Sequence, residues 1–441
     1  MDFKYGNHNG IRGKFSSSVG YPYEDIGHKP VGNEERIDVL DALRGFAIIG
    51  ILMINVRVFS GYAYANEEFN SNLMLTGWDH VFDWIHIVFF SGKFYSLFSL
   101  LFGIGFAIQL TRTSSAGRKF IPFFSRRLFF LLLIGIVHMW AIWFSDILVF
   151  YAICGYILIL FRSLSNRQLW WVFFILLLFT GLHNLYLQSA EMPYTTLLIE
   201  WISQNWDILG LPEASNETYT LRMSDIAAVI RDGSWGNILK FNFIGPSLRA
   251  YFIAFDARIF KILATFVLGF WVGRKILFNS LHKNRLFLAK TALAGWIIGL
   301  SLNIFFMEED INWNDSAITI VLREFLVAFS YISLASGYAA SFVLLYESRL
   351  KPRLRRIFNS VGKTALTNYI FQSVLGLLLF YSAGLGLGEY FGSTLLTLAV
   401  FLIFLLQAIL SNIWLKTYKY GPLEWLWRVL TYGRYIKNRQ Q

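Results

Sequence analysis

RRLFFLLLIGIVHMWAIWFSDILVFYAICG, residues 126–155, is apolar enough to enter a lipid bilayer, yet it holds His138 deep in one run and Asp146 at the break before the next. An ionisable ring is costly in hydrocarbon and usually faces the bundle interior or a water-filled cavity. His138 lies about eleven residues into its run, which at ~1.5 Å per residue puts it near mid-depth. Asp146 follows where the chain turns into the next helix. Spans joined so tightly pack antiparallel, so Asp146 either caps the new helix or orients something in a cavity. A histidine and a carboxylate sharing one cavity make a general base with its orienting partner. The plainer alternative is a histidine bonded to a neighbouring helix beside an N-cap aspartate.

The rest of the chain fits that setting. Of 441 residues, 56% are hydrophobic, 18% aromatic and only 15% charged, whereas a soluble chain carries roughly a quarter charged. Several apolar runs approach or exceed the ~20 residues that cross a bilayer. The pattern predicts an all-α, polytopic transmembrane helical bundle with about ten spans: 42–60, 84–111, 127–144, 146–163, 168–188, 257–275, 286–307, 317–346, 364–385 and 393–415. The net charge of +11 sits in short segments between these runs, which reads as cytoplasmic loops and not as a nucleic-acid surface. One set of connections is basic: Arg112, Arg118, Lys119, Arg126 and Arg127; Arg162 and Arg167; Arg274, Lys275, Lys283 and Arg285; Arg349, Lys351, Arg353, Arg355 and Arg356. The alternate set holds Glu67 and Glu68, the 190–255 segment, the acidic run 308–310 with Asp315, and Glu389. That alternation places both termini in the cytoplasm and the protein in the inner membrane. The stretch 78–110 is long for one span, and Gly92-Lys93 can break it into a re-entrant piece plus a span.

Four regions follow. Residues 1–36 are polar and Gly-rich, without the apolar core of a signal peptide, and read as a mobile cytoplasmic tail. Residues 37–189 form an N-terminal membrane core and 257–435 a C-terminal membrane region. Between them, 190–256 reads as an extracytoplasmic loop with interfacial helices, either capping an external pocket or simply anchored at the surface. The single cysteine, Cys154, lies in an apolar run, so no intrachain disulfide is possible.

Other polar residues also need partners. Asp38, Asp41 and Arg44 are three apart on one helix face and can pair. Arg44 lies just inside the cytoplasmic boundary, level with Arg126 and Arg127; arginines there snorkel to headgroups or line a phosphate site. Asn55 is eleven residues beyond Arg44 on the same side of its helix. Lys363 precedes a polar stripe of Thr364, Thr367, Asn368, Gln372 and Ser373, which either glues helices together or lines a ligand path. Arg323 and Glu324 are adjacent, which predicts a separate partner for each. No metal-ligand spacing occurs among the seven histidines, and no P-loop or Rossmann fingerprint is present.

RIDVLDALRGFAIIGILMIN, GKFYSLFSLLFGIG, RRLFFLLLIGIVHMWAIWFSDILVFYAICGYIL, LGFWVGR, GKTALTNYIFQS and GPLEWLWR, running in that order from about residue 36 to 435, resemble the YeiB family of bacterial membrane proteins. That family's C-terminal half resembles a segment known only as a domain of unknown function. The resemblance places the chain with transmembrane acyltransferases, alongside heparan-alpha-glucosaminide N-acetyltransferase and the acyltransferase-3 group. It implies transfer of an acyl group, acetyl in the simplest case, from cytoplasmic acyl-CoA to an envelope glycan, lipid or small-molecule acceptor. In acyltransferase-3 proteins a histidine follows the LDALRG arginine by eleven residues; here that position is Asn55, which leaves His138 as the base. On this reading Arg44, Arg126, Arg127 and Lys363 hold the CoA phosphates, and Asn368 and Gln372 line the donor's path. Asp146 orients His138, and Asn55 or Asn368 donates to the developing oxyanion. The competing expectation is a proton-coupled transporter or permease for a small solute, with His138 as a proton relay; a structural role in envelope assembly is a third.

Overall fold

A backbone in hydrocarbon must satisfy its polar groups internally, so apolar runs of this length become helices. The computed structural model describes residues 38–64, 73, 77–115, 119–212, 223–278, 285–307, 316–348 and 350–440. The tail 1–36 lies outside the described residues, as do Glu67, Glu68, Arg118, Lys283, the run 308–310, Asp315 and Arg349.

The helices are α1 (Asp38–Phe59), α2 (Asp79–Ile85) with a π-helical turn at His86–Phe90, α3 (Lys93–Ser115), α4 (Phe120–Ala141), α5 (Leu148–Leu160) and α6 (Asn166–Ser189). Then come α7 (Tyr194–Leu209), α8 (Met223–Asp232), α9 (Trp235–Phe255), α10 (Arg258–Phe278), α11 (Arg285–Phe305) and α12 (Ala317–Ser348). The chain closes with α13 (Pro352–Lys363), α14 (Ala365–Phe380), α15 (Ser393–Thr417) and α16 (Pro422–Tyr432). Among the described residues the only β pairing is an isolated bridge between Tyr418 and Arg439.

Seven of the apolar runs become helices long and apolar enough to cross a membrane: α1, the α2–α3 stretch, α4, α6, α11, α12 and α15. Three of the ten expected spans differ. α5 and α14 are apolar but shorter, and α10 carries Arg258, Lys261, Arg274 and Lys275 within its 21 residues. The turn at Ser91-Gly92 separates α2 from α3, where the sequence allowed a break. Gly92 has a φ of +80°, and a β-carbon there would overlap the Tyr331 ring. Large apolar side chains point outward on the peripheral helices, among them Trp171, Ile175 and Leu178 on α6 and Phe401, Leu405 and Ile409 on α15. A surface of that kind suits lipid, and the chain is a multi-pass membrane protein.

α1 is the central helix: 67% of its apolar window is buried, against 28% for α4, α6, α11 and α12. The 190–256 segment is helical through α7, α8 and α9. Ile202, Trp206, Ile230, Phe241 and Ile244 of that segment pack with Leu52, Val56 and Phe59 of α1 and Phe380 of α14. These helices therefore cover the end of the bundle away from Arg44. Arg323 and Glu324 do not find separate partners: their side chains curl together, Nη1 to Oε1 at 2.6 Å. Long flexible side chains at neighbouring positions reach each other even though their Cβ atoms diverge.

Candidate functional site: a buried serine–histidine–aspartate chain at the end of a basic cavity

α4 ends just beyond His138, whose carbonyl accepts the N–H groups of Ile142 and Trp143. The non-helical stretch that follows brings Asp146 back beside it. One carboxylate oxygen, Oδ1, lies 2.8 Å from His138 Nδ1; the other accepts the Val149 N–H at 2.9 Å and so caps the start of α5. α9 fixes the backbone here: Arg249 Nε donates to the Asp146 carbonyl at 2.8 Å, and Asn242 Nδ2 to the Ile142 carbonyl at 3.4 Å. On its other side His138 Nε2 lies 2.9 Å from Ser373 Oγ, on α14.

With Asp146 as a carboxylate, which only accepts, and the imidazole neutral, Nδ1 is the donor and the Nε2 lone pair is left to receive the Ser373 hydroxyl. Hydroxyl, imidazole and carboxylate are thus linked in the order found in serine nucleophile systems, which is recognised by geometry and not by sequence position. The His138 and Asp146 side chains are wholly buried, as is Ser373. The Tyr369 ring lies 5.3 Å and the Trp143 ring 6.4 Å from the imidazole.

A cavity of about 370 Å³ approaches this chain from the end of the bundle where α1 begins. Its lining includes five basic side chains, Arg44, Arg112, Arg127, Lys363 and Arg428, against two carboxylates, Asp41 and Glu424. Deeper in, the walls are apolar and aromatic: Ile51, Phe98, Leu101, Phe102, Leu131, Leu148 and Tyr151. The lining positions on α3 run from Phe98 to Thr113, about 22 Å of helix. Tyr369 and Ile147 line the cavity, while His138, Asp146 and Ser373 do not. Ile147 directly follows Asp146, and Tyr369 sits one helical turn before Ser373, so these two residues separate the cavity from the buried chain.

The sequence-named residues divide accordingly. Arg44 lines the cavity and pairs with Asp41 at 2.6 Å. Lys363 lines it with Nζ 3.5 Å from Asp38. Arg127 lines it with its guanidinium stacked 3.8 Å over the Trp427 ring. Arg126, its neighbour, is exposed and turned away. Asn55 stands one turn beyond Ile51 and is half-buried, and its side chain makes no hydrogen bond to another described residue. Asn368 bonds to Thr364 and Ser411, and Gln372 to Gln407 and the Ile48 carbonyl, so both join α14 to its neighbours and neither lines the cavity.

Glu424 anchors α16 at the rim. It accepts the N–H groups of Leu366 and Thr367 and the Thr367 hydroxyl, while burial pushes its carboxyl above its ordinary value. Ser373, Tyr369 and Arg428 escaped the sequence reading as site residues. Ser373 carried one signal, its place at the end of the polar stripe. Among the described residues no cluster suited to a metal ion occurs.

A family model described as a protein of unknown function, DUF418, matches residues 272–434. The uncharacterized protein YxaH of Bacillus subtilis is 30% identical over 414 residues, covering 92% of this chain and 96% of its own. The uncharacterized 39.9 kDa protein in the amylase 3' region of Bacillus acidopullulyticus is 27% identical over the same shares. The uncharacterized protein YeiB of Escherichia coli is 29% identical over 412 residues, 90% of this chain and 96% of its own. The relatives align over nine-tenths or more of this chain, and the chain belongs to the YeiB-like family, with a DUF418 segment in its C-terminal part.

Proposed function

We propose that the protein is a membrane-embedded acyltransferase of the inner membrane. It moves an acyl group, acetyl in the simplest case, from cytoplasmic acyl-CoA to an acceptor on the other side. The supporting topology has ten crossings, with α5, α10 and α14 spanning beside the seven longer helices and both termini in the cytoplasm. One observation carries the reading: a deep cavity with a basic rim and apolar walls stops one residue layer short of a serine–histidine–aspartate chain.

The division of labour follows from that geometry. Arg44, Arg127 and Arg428 suit the phosphates of CoA, for which guanidinium groups offer bidentate donors. A volume at the low end for ligand pockets suits an extended pantetheine arm and leaves the nucleotide at the rim. His138 acts as general base, and Asp146 holds its tautomer and stabilises the imidazolium. Tyr369 must swing aside for the thioester to reach the buried chain.

Purified protein in nanodiscs tests the proposal. Acetyl-CoA should raise its melting temperature, and labelled acetyl should pass to an envelope extract. Absence of both, with solute-coupled proton uptake by proteoliposomes, would reject it in favour of a permease.

A further inference from the structure

The buried chain leaves one matter open: which atom receives the acyl group first. Resting on the acyltransferase reading, we infer that Ser373 Oγ is the nucleophile and that transfer runs through a covalent acyl-serine. Both imidazole nitrogens of His138 are occupied. Nδ1 is held by Asp146, and Nε2 faces the Ser373 hydroxyl at 2.9 Å. An acceptor from outside cannot hand its proton to Nε2 without first displacing that hydroxyl. The first proton within reach of the base is therefore the serine's own, which is the usual signature of an activated nucleophile.

Access points the same way. The cavity runs from the basic rim to Ile147 and Tyr369, one residue layer from the chain, while α9 covers the opposite approach through Arg249 and Asn242. Donor and acceptor then need not be present together, because a serine ester can hold the group between two half-reactions. Tyr369, one turn below Ser373, is the door on the donor side.

The steps balance. Ser373 Oγ attacks the thioester carbonyl as its proton moves to His138 Nε2. The C–S bond breaks, and the thiolate leaves as the free thiol after taking that proton. In the second half an acceptor hydroxyl or amine attacks the serine ester while His138 takes its proton. The C–Oγ bond then breaks, and the proton returns to Ser373.

Exchange of labelled CoA into acetyl-CoA tests this without any acceptor, since only an acyl-enzyme permits it. The full-length protein in nanodiscs should catalyse exchange and yield an acetylated peptide containing Ser373. Ser373→Ala should bind acetyl-CoA, judged by thermal shift, yet lose exchange by at least ~10³-fold. Ser373→Cys should restore an adduct, now a thioester cleaved by neutral hydroxylamine. Acetyl transfer to envelope extract that persists in Ser373→Ala, or that proceeds in the wild type without CoA exchange, would overturn the serine and leave the acyltransferase standing. A wild type that neither binds acetyl-CoA nor transfers acetyl would remove both.

Discussion

A β-carbon on Gly135 would lie 2.8 Å from the backbone nitrogen of Val149, the same nitrogen that donates to Asp146 Oδ2. This close approach presses α4 against the start of α5 one turn below His138. It sets the separation across which the imidazole meets the carboxylate.

Gly135→Val should therefore force the two helices apart. Overpacking of this kind costs about 1–3 kcal/mol. The expected result is a lower melting temperature in detergent together with a large loss of acyl transfer. Gly105, in α3 with open cavity space beside it, is the stability control: Gly105→Ala should not lower the melting temperature.

Asp146→Asn keeps the size of the side chain but supplies an amide N–H where the imidazole has its own. His138 then takes the other tautomer, with Nε2–H aimed at Ser373 and no lone pair to receive its proton. Loss of transfer by about 10⁴-fold is expected with acetyl-CoA binding intact, by analogy with tautomer loss in serine proteases. A rate within tenfold of wild type would show that Asp146 serves only as the helix cap.

The two neighbouring arginines of α4 predict opposite outcomes. Arg127→Gln removes a guanidinium lining the cavity and should raise the KM for acetyl-CoA about tenfold or more, the scale of one charged hydrogen bond. Arg126→Gln alters an exposed side chain outside the cavity and should leave KM unchanged. Steady-state kinetics on the pair separates a binding site from general attraction by a basic surface.

At the α9–α10 corner, outside the spans, burial pushes the Asp256 carboxyl up. Lys261 and Arg258, each hydrogen-bonded to it at 2.7 Å, pull it down further, to about 2 from an ordinary 3.8. An acid whose folded value lies below its unfolded value stabilises the fold above the unfolded value, and that contribution fades as the pH falls through the folded one. Asp256→Asn should lower the melting temperature by a steady amount near neutral pH, with the gap closing between 3.8 and about 2. Thermal unfolding across that range checks it.

The pairings that could be read from sequence are those between residues near in the chain. Asp146 is eight residues from His138 across one tight turn, so its pairing follows from local geometry. Ser373 is 235 residues away, and nothing within α14 separates it from Asn368 and Gln372 on the same stripe. Only packing decides that Gln372 meets Gln407 while Ser373 meets the imidazole. The span count blurred for a similar reason. α5 is only 13 residues long, because it starts after the break at Asp146 and stops at Leu160, where the chain turns over 161–163. α10 gathers charges, and while Arg258 and Lys261 pair with nearby Asp256, Arg274 is met only by the distant carbonyls of Arg162 and Leu164. Arg126 and Arg127 look equivalent as a basic pair, yet adjacent residues on a helix diverge by about 100°.

The tie from Arg249 to the carbonyl of Asp146 has a mechanical consequence. α9 grips the backbone of the residue that faces the imidazole, so a push on the helical cap is delivered as a tug on that carboxylate. Any molecule docking on that cap and levering α9 would set the aim of His138 with the same stroke.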